Sequence, residues 1–186
     1  ASRVDAVELN PQVVELVNRE FADFTGALYA WPGVTVFNDE ARGFVAASRD
    51  RYDLIQVALL DSFGASSAGL YALSENYLYT LEAFAQYLQH LQPGGVLSIT
   101  RWTKTPPRDG LKIFATAVET LRQAGHADPG RQLFMIRSWN TSTLLVKNEP
   151  FDAAAIDKLK AFCKQRSFDP VFYPGMAASE ANRYNQ

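Results

Sequence analysis

The chain holds one cysteine, two histidines and two methionines in 186 residues. Cys163 alone forms no internal disulfide and no cysteine-rich zinc site, which suits a reducing, cytoplasmic compartment. His90 and His126 lie far apart in sequence near the ends of expected helices, a surface pattern and not a ligand cluster, so no metal site is expected. Charge of one sign is also lacking: 18 Lys and Arg stand against 20 Asp and Glu, a net charge of -2. That balance leaves no electrostatic footprint for a phosphate backbone, and nucleic acid is not expected as a partner. The longest apolar run, Leu54 to Leu60, is interrupted by Gln56, whereas a spanning helix needs ~20 apolar residues. There is no Walker loop, no Gly-x-Ser-x-Gly elbow, no initiator Met and no signal peptide. Because a strand-like run begins almost at once, at Arg3 to Leu9, the natural start is expected to lie upstream.

Hydrophobic residues make up 47% of the chain, enough to bury the core of one domain. Val4 to Leu9 reads as a strand, and Asn10-Pro11 gives a cap followed by proline at the first helical position. Val13, Val14, Leu16, Val17, Phe21, Phe24 and Leu28 recur at helical spacing, predicting one helix over about 12 to 28. Val34 to Phe37 follows as a strand, 40 to 48 as a helix, and 53 to 60 as a buried parallel strand. Past a Gly/Ser/Ala-rich loop, helical periodicity runs from Ser74 to Leu91 through Tyr77, Leu78, Leu81, Phe84, Ala85 and Leu88. Gln92-Pro93-Gly94-Gly95 turns into a strand over 96 to 102. The next helix, 110 to 124, is expected to face inward through Leu111, Phe114, Ala115, Val118 and Leu121. A hairpin over 133 to 139 and 142 to 147, a helix capped by Asp152 and an extended segment over 168 to 175 complete the order. The expectation is an α/β fold with a mostly parallel sheet and one antiparallel strand, a single domain over 1 to 176 and a frayed tail over 177 to 186.

In such sheets ligands sit beyond the carboxyl ends of the strands, which directs attention to 8 to 10, 38 to 41, 58 to 67 and 101 to 105. Glu8 closes the first strand. A carboxylate there accepts from both hydroxyls of a ribose, or is a solvated strand-end charge. After the next strand, an acid and a backbone amide in Asp39-Glu40-Ala41 would read the edge of an adenine, while Asp39 would cap the helix. Asp61 would hold or deprotonate an amine, or serve as an Asx-turn residue. Glu75 would favour a helix dipole and Tyr77 would be core, and Cys163 falls at an apolar helical position.

Six segments in this order resemble the spermidine synthase-like family, the polyamine aminopropyltransferase branch of the class I S-adenosylmethionine-dependent methyltransferase folds. They are Val-Glu-Leu-Asn-Pro at 7 to 11, Asn-Asp-Glu-Ala-Arg-Gly-Phe at 38 to 44, Tyr-Asp-Leu-Ile at 52 to 55, Asp-Ser at 61 to 62, Leu-Ser-Glu-Asn-Tyr at 73 to 77 and Leu-Gln-Pro-Gly-Gly-Val-Leu at 91 to 97. The resemblance implies a Rossmann-like methyltransferase sheet ending in an antiparallel hairpin, with the family's first strand and Gly-rich loop missing from these residues. It implies S-adenosylmethionine or its decarboxylated form as substrate, with no metal, and aminopropyl transfer to an amine. Methyl transfer, or a noncatalytic nucleoside-binding or assembly domain, are the alternatives.

By the same resemblance Glu8 binds the nucleoside hydroxyls, Glu40 and the Ala41 amide read the adenine, and Asp61, Glu75 and Tyr77 meet the polyamine, Asp61 being the catalytic candidate. The sequence departs at Val57-Ala58-Leu59-Leu60-Asp61, where Ala58 stands at the first acid of the family's Asp-x-x-Asp motif. Loss of such a base typically removes 10²- to 10⁴-fold in rate. The implied partners are a nucleoside and a polyamine, with self-association as a further expectation. Some members of the wider family carry a membrane segment before the enzyme-like domain, so a soluble part of a membrane-attached protein is compatible with this reading.

Overall fold

The computed structural model describes residues 1–59, 77–103 and 106–180. These divide into two units, Ala1–Arg49 and Asp50–Gln186.

The first unit holds β1 (Val4–Val7), α1 (Pro11–Asn18), α2 (Ala22–Thr25), β2 (Val34–Phe37) and α3 (Ala41–Ala47). Strands β1 and β2 pair in parallel, Val4 with Val34 through Val7 with Phe37. Asn10 caps α1, its Oδ1 accepting from the Gln12 N–H at 2.9 Å, and Pro11 occupies the first turn as expected. The single long helix read from the periodicity is corrected to two short helices and a 3₁₀ turn at Leu28–Ala30. The break falls at Arg19 to Phe21, and α2 closes on Gly26 at φ 65° followed by Ala27 at φ 51°, two left-handed residues that no helix continues through. Phe24 consequently projects into solvent, 89% exposed, and Val45 is the one buried hydrophobic residue of this unit among those described.

The second unit is a five-stranded sheet of order β3-β4-β6-β5-β7, comprising β3 (Tyr52–Val57), β4 (Leu91–Trp102), β5 (Leu133–Arg137), β6 (Thr141–Lys147) and β7 (Asp169–Phe172). Its helices are α4 (Leu81–Gln89), α5 (Arg108–Gln123) and α6 (Ala153–Arg166). β3 and β4 are parallel, while β6 runs antiparallel to both β4 and β5, and β7 antiparallel to β5. The sheet thus has two reversed strands where the sequence predicts one. The extended segment after α6 adds the second at the edge, where Pro170 is tolerated because an edge strand need not donate on both sides.

The Pro-Gly-Gly turn lies inside β4 as an irregularity in its register with β3. A Cβ on Gly95 would come within 2.8 Å of the Tyr52 carbonyl, so only glycine allows that approach. The strand expected over 53 to 60 is shorter and not buried on both sides: Leu54 is 53% exposed, since among the described residues β3 pairs with β4 alone.

Helices cover both faces of this sheet. Leu97, Ile99, Leu133, Leu144 and Val146 share one face, packed under α4 and α5. Phe134 points to the other face, into a cluster with Phe151, Tyr173 and Cys163 of α6. Burial raises the Cys163 thiol pKa, which fits its reading as a packing residue.

The inward stripe of α5 is corrected to Gly110, Ile113, Ala117, Thr120 and Leu121, with Leu111 and Ala115 exposed. Gly110 faces inward because the backbone passes close to Met135 and Ser142 there. Of the helix read over 74 to 91, α4 covers Leu81–Gln89, capped by Thr80, which accepts from the Ala83 N–H at 3.3 Å; Ser74 lies outside the described residues. Asp152 caps α6 as expected, accepting from Ala155 at 2.7 Å.

Beyond β7, Ala178–Glu180 forms a 3₁₀ turn fastened by its acid: Tyr173 donates its hydroxyl to Glu180, and Lys160 donates to both, at 2.9 Å to Tyr173 and 3.3 Å to Glu180. The Tyr173 hydroxyl, then the Ala177 N–H, hold the Glu180 carboxyl below its ordinary range. A depressed carboxyl pKa stabilises the docked turn above the unfolded carboxylate range, and that contribution disappears as pH falls through the folded value. Limited proteolysis should therefore release the residues after Tyr173 faster at pH 3 than at pH 7, and Glu180→Gln should remove most of the difference.

Candidate functional site

Because β1 and β2 are parallel and in register, the residues that follow them, Glu8 and Asn38 to Ala41, emerge at the same end of the first unit. The Glu8 N–H donates to the Phe37 carbonyl at 3.0 Å, fixing the strand end. Glu8 Oε1 accepts from the Asn10 N–H at 2.8 Å, which orients the carboxylate. Its Oε2 has no hydrogen bond among the described residues. Asn38 joins the two loops, donating through Nδ2 to the carbonyls of Glu8 at 2.8 Å and Leu9 at 3.0 Å. That clamp carries no sequence signature beyond an asparagine after a strand.

Glu40, not Asp39, caps α3. Both its oxygens accept helix amides, Oε1 from Arg42 at 2.9 Å and Oε2 from Gly43 at 2.7 Å, while Asp39 Oδ1 accepts from the Glu40 N–H at 2.7 Å. Asp39 lies one residue before the N-cap and closes onto the next N–H, whereas Glu40 holds the N-cap position itself and reaches the first turn. Each Glu40 oxygen keeps a second lone pair for a further donor. The Ala41 N–H, the first of α3, makes no hydrogen bond among the described residues. The structure therefore brings Glu8, Glu40 and Ala41 to one end of one pair of strands, with a carboxylate oxygen and an amide donor that make no hydrogen bond among the described residues.

On the second unit, Val57 is registered with Ile99, so the carboxyl ends of β3 and β4 lie side by side. Ala58 is exposed just past β3 and brings no titratable group. Asp61 and Glu75 lie outside the described residues, and Tyr77 is 48% exposed ahead of α4. Near the end of β4, the Arg101 guanidinium lies 4.2 Å above the centre of the Tyr79 ring. Arg101 falls in a strand-end range that the fold marks for attention, but a lone arginine there gives no motif.

No described helix is long and apolar enough to cross a membrane. No protein-family model matches the sequence. A probable spermidine synthase from Corynebacterium glutamicum superposes with TM-score 0.61 at 20% identity, covering 88% of this chain and 53% of that one. A spermidine synthase in complex with the transition-state analogue AdoDATO matches at TM-score 0.54 and 15% identity, covering 86% of this chain and 49% of that one. Human methyltransferase-like protein 13 in complex with SAH matches at TM-score 0.56 and 12% identity, covering 88% of this chain and 70% of that one. The chain spans about half the length of the two spermidine synthases. At these identities the likeness establishes architecture alone: the chain has a Rossmann-like methyltransferase fold.

Proposed function

We propose that this chain is a spermidine synthase-like transferase domain that takes an alkyl group, aminopropyl, from decarboxylated S-adenosylmethionine to an amine. The observation that carries the reading is the pairing of Glu8 with Glu40 and Ala41 at the carboxyl ends of two registered parallel strands. Glu8 Oε2 and the orienting Asn10 contact suit a carboxylate that receives ribose hydroxyls. The Ala41 N–H and the spare Glu40 lone pairs suit an adenine edge, which offers one acceptor nitrogen beside one amino donor. The neighbours in complex with AdoDATO and SAH support a ligand of this type.

In the transfer, the acceptor nitrogen attacks the carbon next to the sulfonium; the C–N bond forms as the C–S bond breaks, its electron pair passes to sulfur, and the ammonium formed gives up a proton. Asp61 would hold the acceptor, with Glu75 and Tyr77 beside it. Ala58 supplies no base at the end of β3, and this favours a second reading in which the domain binds the nucleoside without turning it over.

Calorimetric titration with decarboxylated S-adenosylmethionine, followed by an assay for the aminopropylated amine, separates the two. Binding with turnover supports transfer, binding alone supports the second reading, and no binding removes both. In an active protein, Asp61→Asn is expected to raise the KM for the amine or lower turnover about tenfold or more, since a charge-assisted contact carries ~1.5–3 kcal/mol, and to leave nucleoside affinity unchanged. Equal amine kinetics would remove Asp61 from the acceptor site.

Self-association belongs to the same proposal. Among the described residues β1 pairs with β2 alone and β3 with β4 alone, leaving open edges of the kind that recruit further strands. Light scattering on the isolated 186-residue chain should show species larger than a monomer.

A further inference from the structure

Strands β1 and β2 stay in register from Val4 with Val34 to Val7 with Phe37, and past that point the two chains part, one toward α1 and the other toward α3. The Glu8 N–H still reaches the Phe37 carbonyl, at 3.0 Å. One step further the connection passes to a side chain: Asn38 Nδ2 donates to the Glu8 carbonyl at 2.8 Å and to the Leu9 carbonyl at 3.0 Å. Carbonyls only accept, so the NH₂ end of the amide is the end that faces them. Two backbones that diverge can no longer exchange ladder bonds, and the Asn38 amide supplies the cross-strand donors in their place.

Glu8 is consequently held at three atoms. Its N–H is fixed by Phe37, its carbonyl by Asn38 and its Oε1 by the Asn10 N–H at 2.8 Å. Two of these three partners belong to the end of β2, the same stretch of chain that leads directly into Glu40 and Ala41. Asn38 thus ties the acid of one loop to the acid and amide of the other. Without the amide, the Glu8 and Leu9 carbonyls turn to water, residues 8 to 10 keep a single backbone link to β2, and the Glu8 carboxylate moves with them. Recognition of two neighbouring hydroxyls by one carboxylate needs both oxygens held in place, and a binding group loses affinity when the residues that support it no longer fix it.

Resting on the nucleoside reading above, we infer that Asn38 is the positioning residue for ribose recognition. It acts through Glu8, and it sets how strongly the protein prefers a nucleoside with both ribose hydroxyls to one that lacks them.

Adenosine and 2′,3′-dideoxyadenosine test this, since they share the base and differ by those two hydroxyls. Their affinities are measured calorimetrically on the intact protein for the wild type, Asn38→Ala, Glu8→Ala and the double variant. Asn38→Ala should weaken adenosine about tenfold and leave dideoxyadenosine unchanged, and in the Glu8→Ala background it should change neither. Asn38→Asp keeps the shape of the side chain, loses both donors and turns a carboxylate toward two carbonyls, so it should weaken adenosine at least as much. A thermal melt of each variant confirms that it is folded. An asparagine that merely held the strands together would weaken both nucleosides alike and add its effect to that of Glu8→Ala. That result, or an adenosine affinity that Asn38→Ala leaves unchanged, would overturn the inference. Failure of the wild type to bind adenosine, or adenosine binding that survives Glu8→Ala undiminished, would instead overturn the nucleoside reading on which it rests.

Discussion

Glu8→Ala should weaken binding of an adenosine-containing ligand about a hundredfold or more, while Asp39→Ala should change it little. The difference follows from what each carboxylate touches. Glu8 is oriented by the Asn10 N–H at 2.8 Å and keeps Oε2 for a ligand, and two ribose hydroxyls donating to a carboxylate are each worth roughly 1.5–3 kcal/mol when well made. Losing both at the lower figure is about 3 kcal/mol, which is two decades in Kd. Among the described residues Asp39 accepts from the Glu40 N–H alone, so its removal loosens a turn, an effect of about 1 kcal/mol on local stability. Glu8→Gln keeps an oxygen for Asn10 but replaces one acceptor with a donor, and it should fall between. Calorimetry with the nucleoside decides the order, and equal affinities for wild type and Glu8→Ala would end the ribose assignment.

Glu40 is the harder residue to isolate by mutation. It serves the helix with both oxygens, so Glu40→Ala removes a cap worth ~0.5–2 kcal/mol as well as any adenine contact. The sequence placed an acid and an amide at this turn and left the cap to Asp39. The helix boundary decides otherwise: α3 begins at Ala41, which makes Glu40 the N-cap and leaves Asp39 one residue too early, and periodicity carries no information about a boundary that fine.

What was legible from residues alone was local. The Asn10-Pro11 helix start, the Asp152 cap, the hairpin of β5 and β6 and the parallel β3–β4 pair each follow from caps, turn residues or short apolar runs within one or two elements. What was not legible depended on neighbours distant in sequence. The α5 stripe is turned by one residue because Gly110 must pass Met135 and Ser142, two strands that come later in the chain. The exposed face of α1 and α2 looks like a core stripe in sequence, since periodicity records that a face is apolar and not what covers it. Arg101 belongs to the same class. Its guanidinium lies on the Tyr79 ring, and no spacing along the chain links the two.

The largest effect on stability is expected at Phe134, far from these strand ends. Its ring is fully buried on the α6 side of the sheet, stacked on Tyr173 with centroids 5.6 Å apart and edge-on to Phe151 at 6.1 Å, with Cys163 closing the cluster. Phe134→Ala removes the transfer free energy of a whole aromatic side chain and leaves a cavity. β5 cannot shift to fill it, because its ladders to β6 and β7 hold it on both edges. Truncations of this kind lose about 3–5 kcal/mol, against a total stability of about 5–15 kcal/mol for a domain. Chemical denaturation should therefore show a midpoint displaced by about a fifth or more of its wild-type value, with an unchanged slope. Trp139→Ala is the matching control: the ring lies at the hairpin tip and is 90% exposed, so its loss should stay within about 0.5 kcal/mol. A loss below about 1 kcal/mol for Phe134→Ala would mean that the cluster beside α6 collapses around the gap, and that the packing on this face of the sheet is looser than its burial indicates.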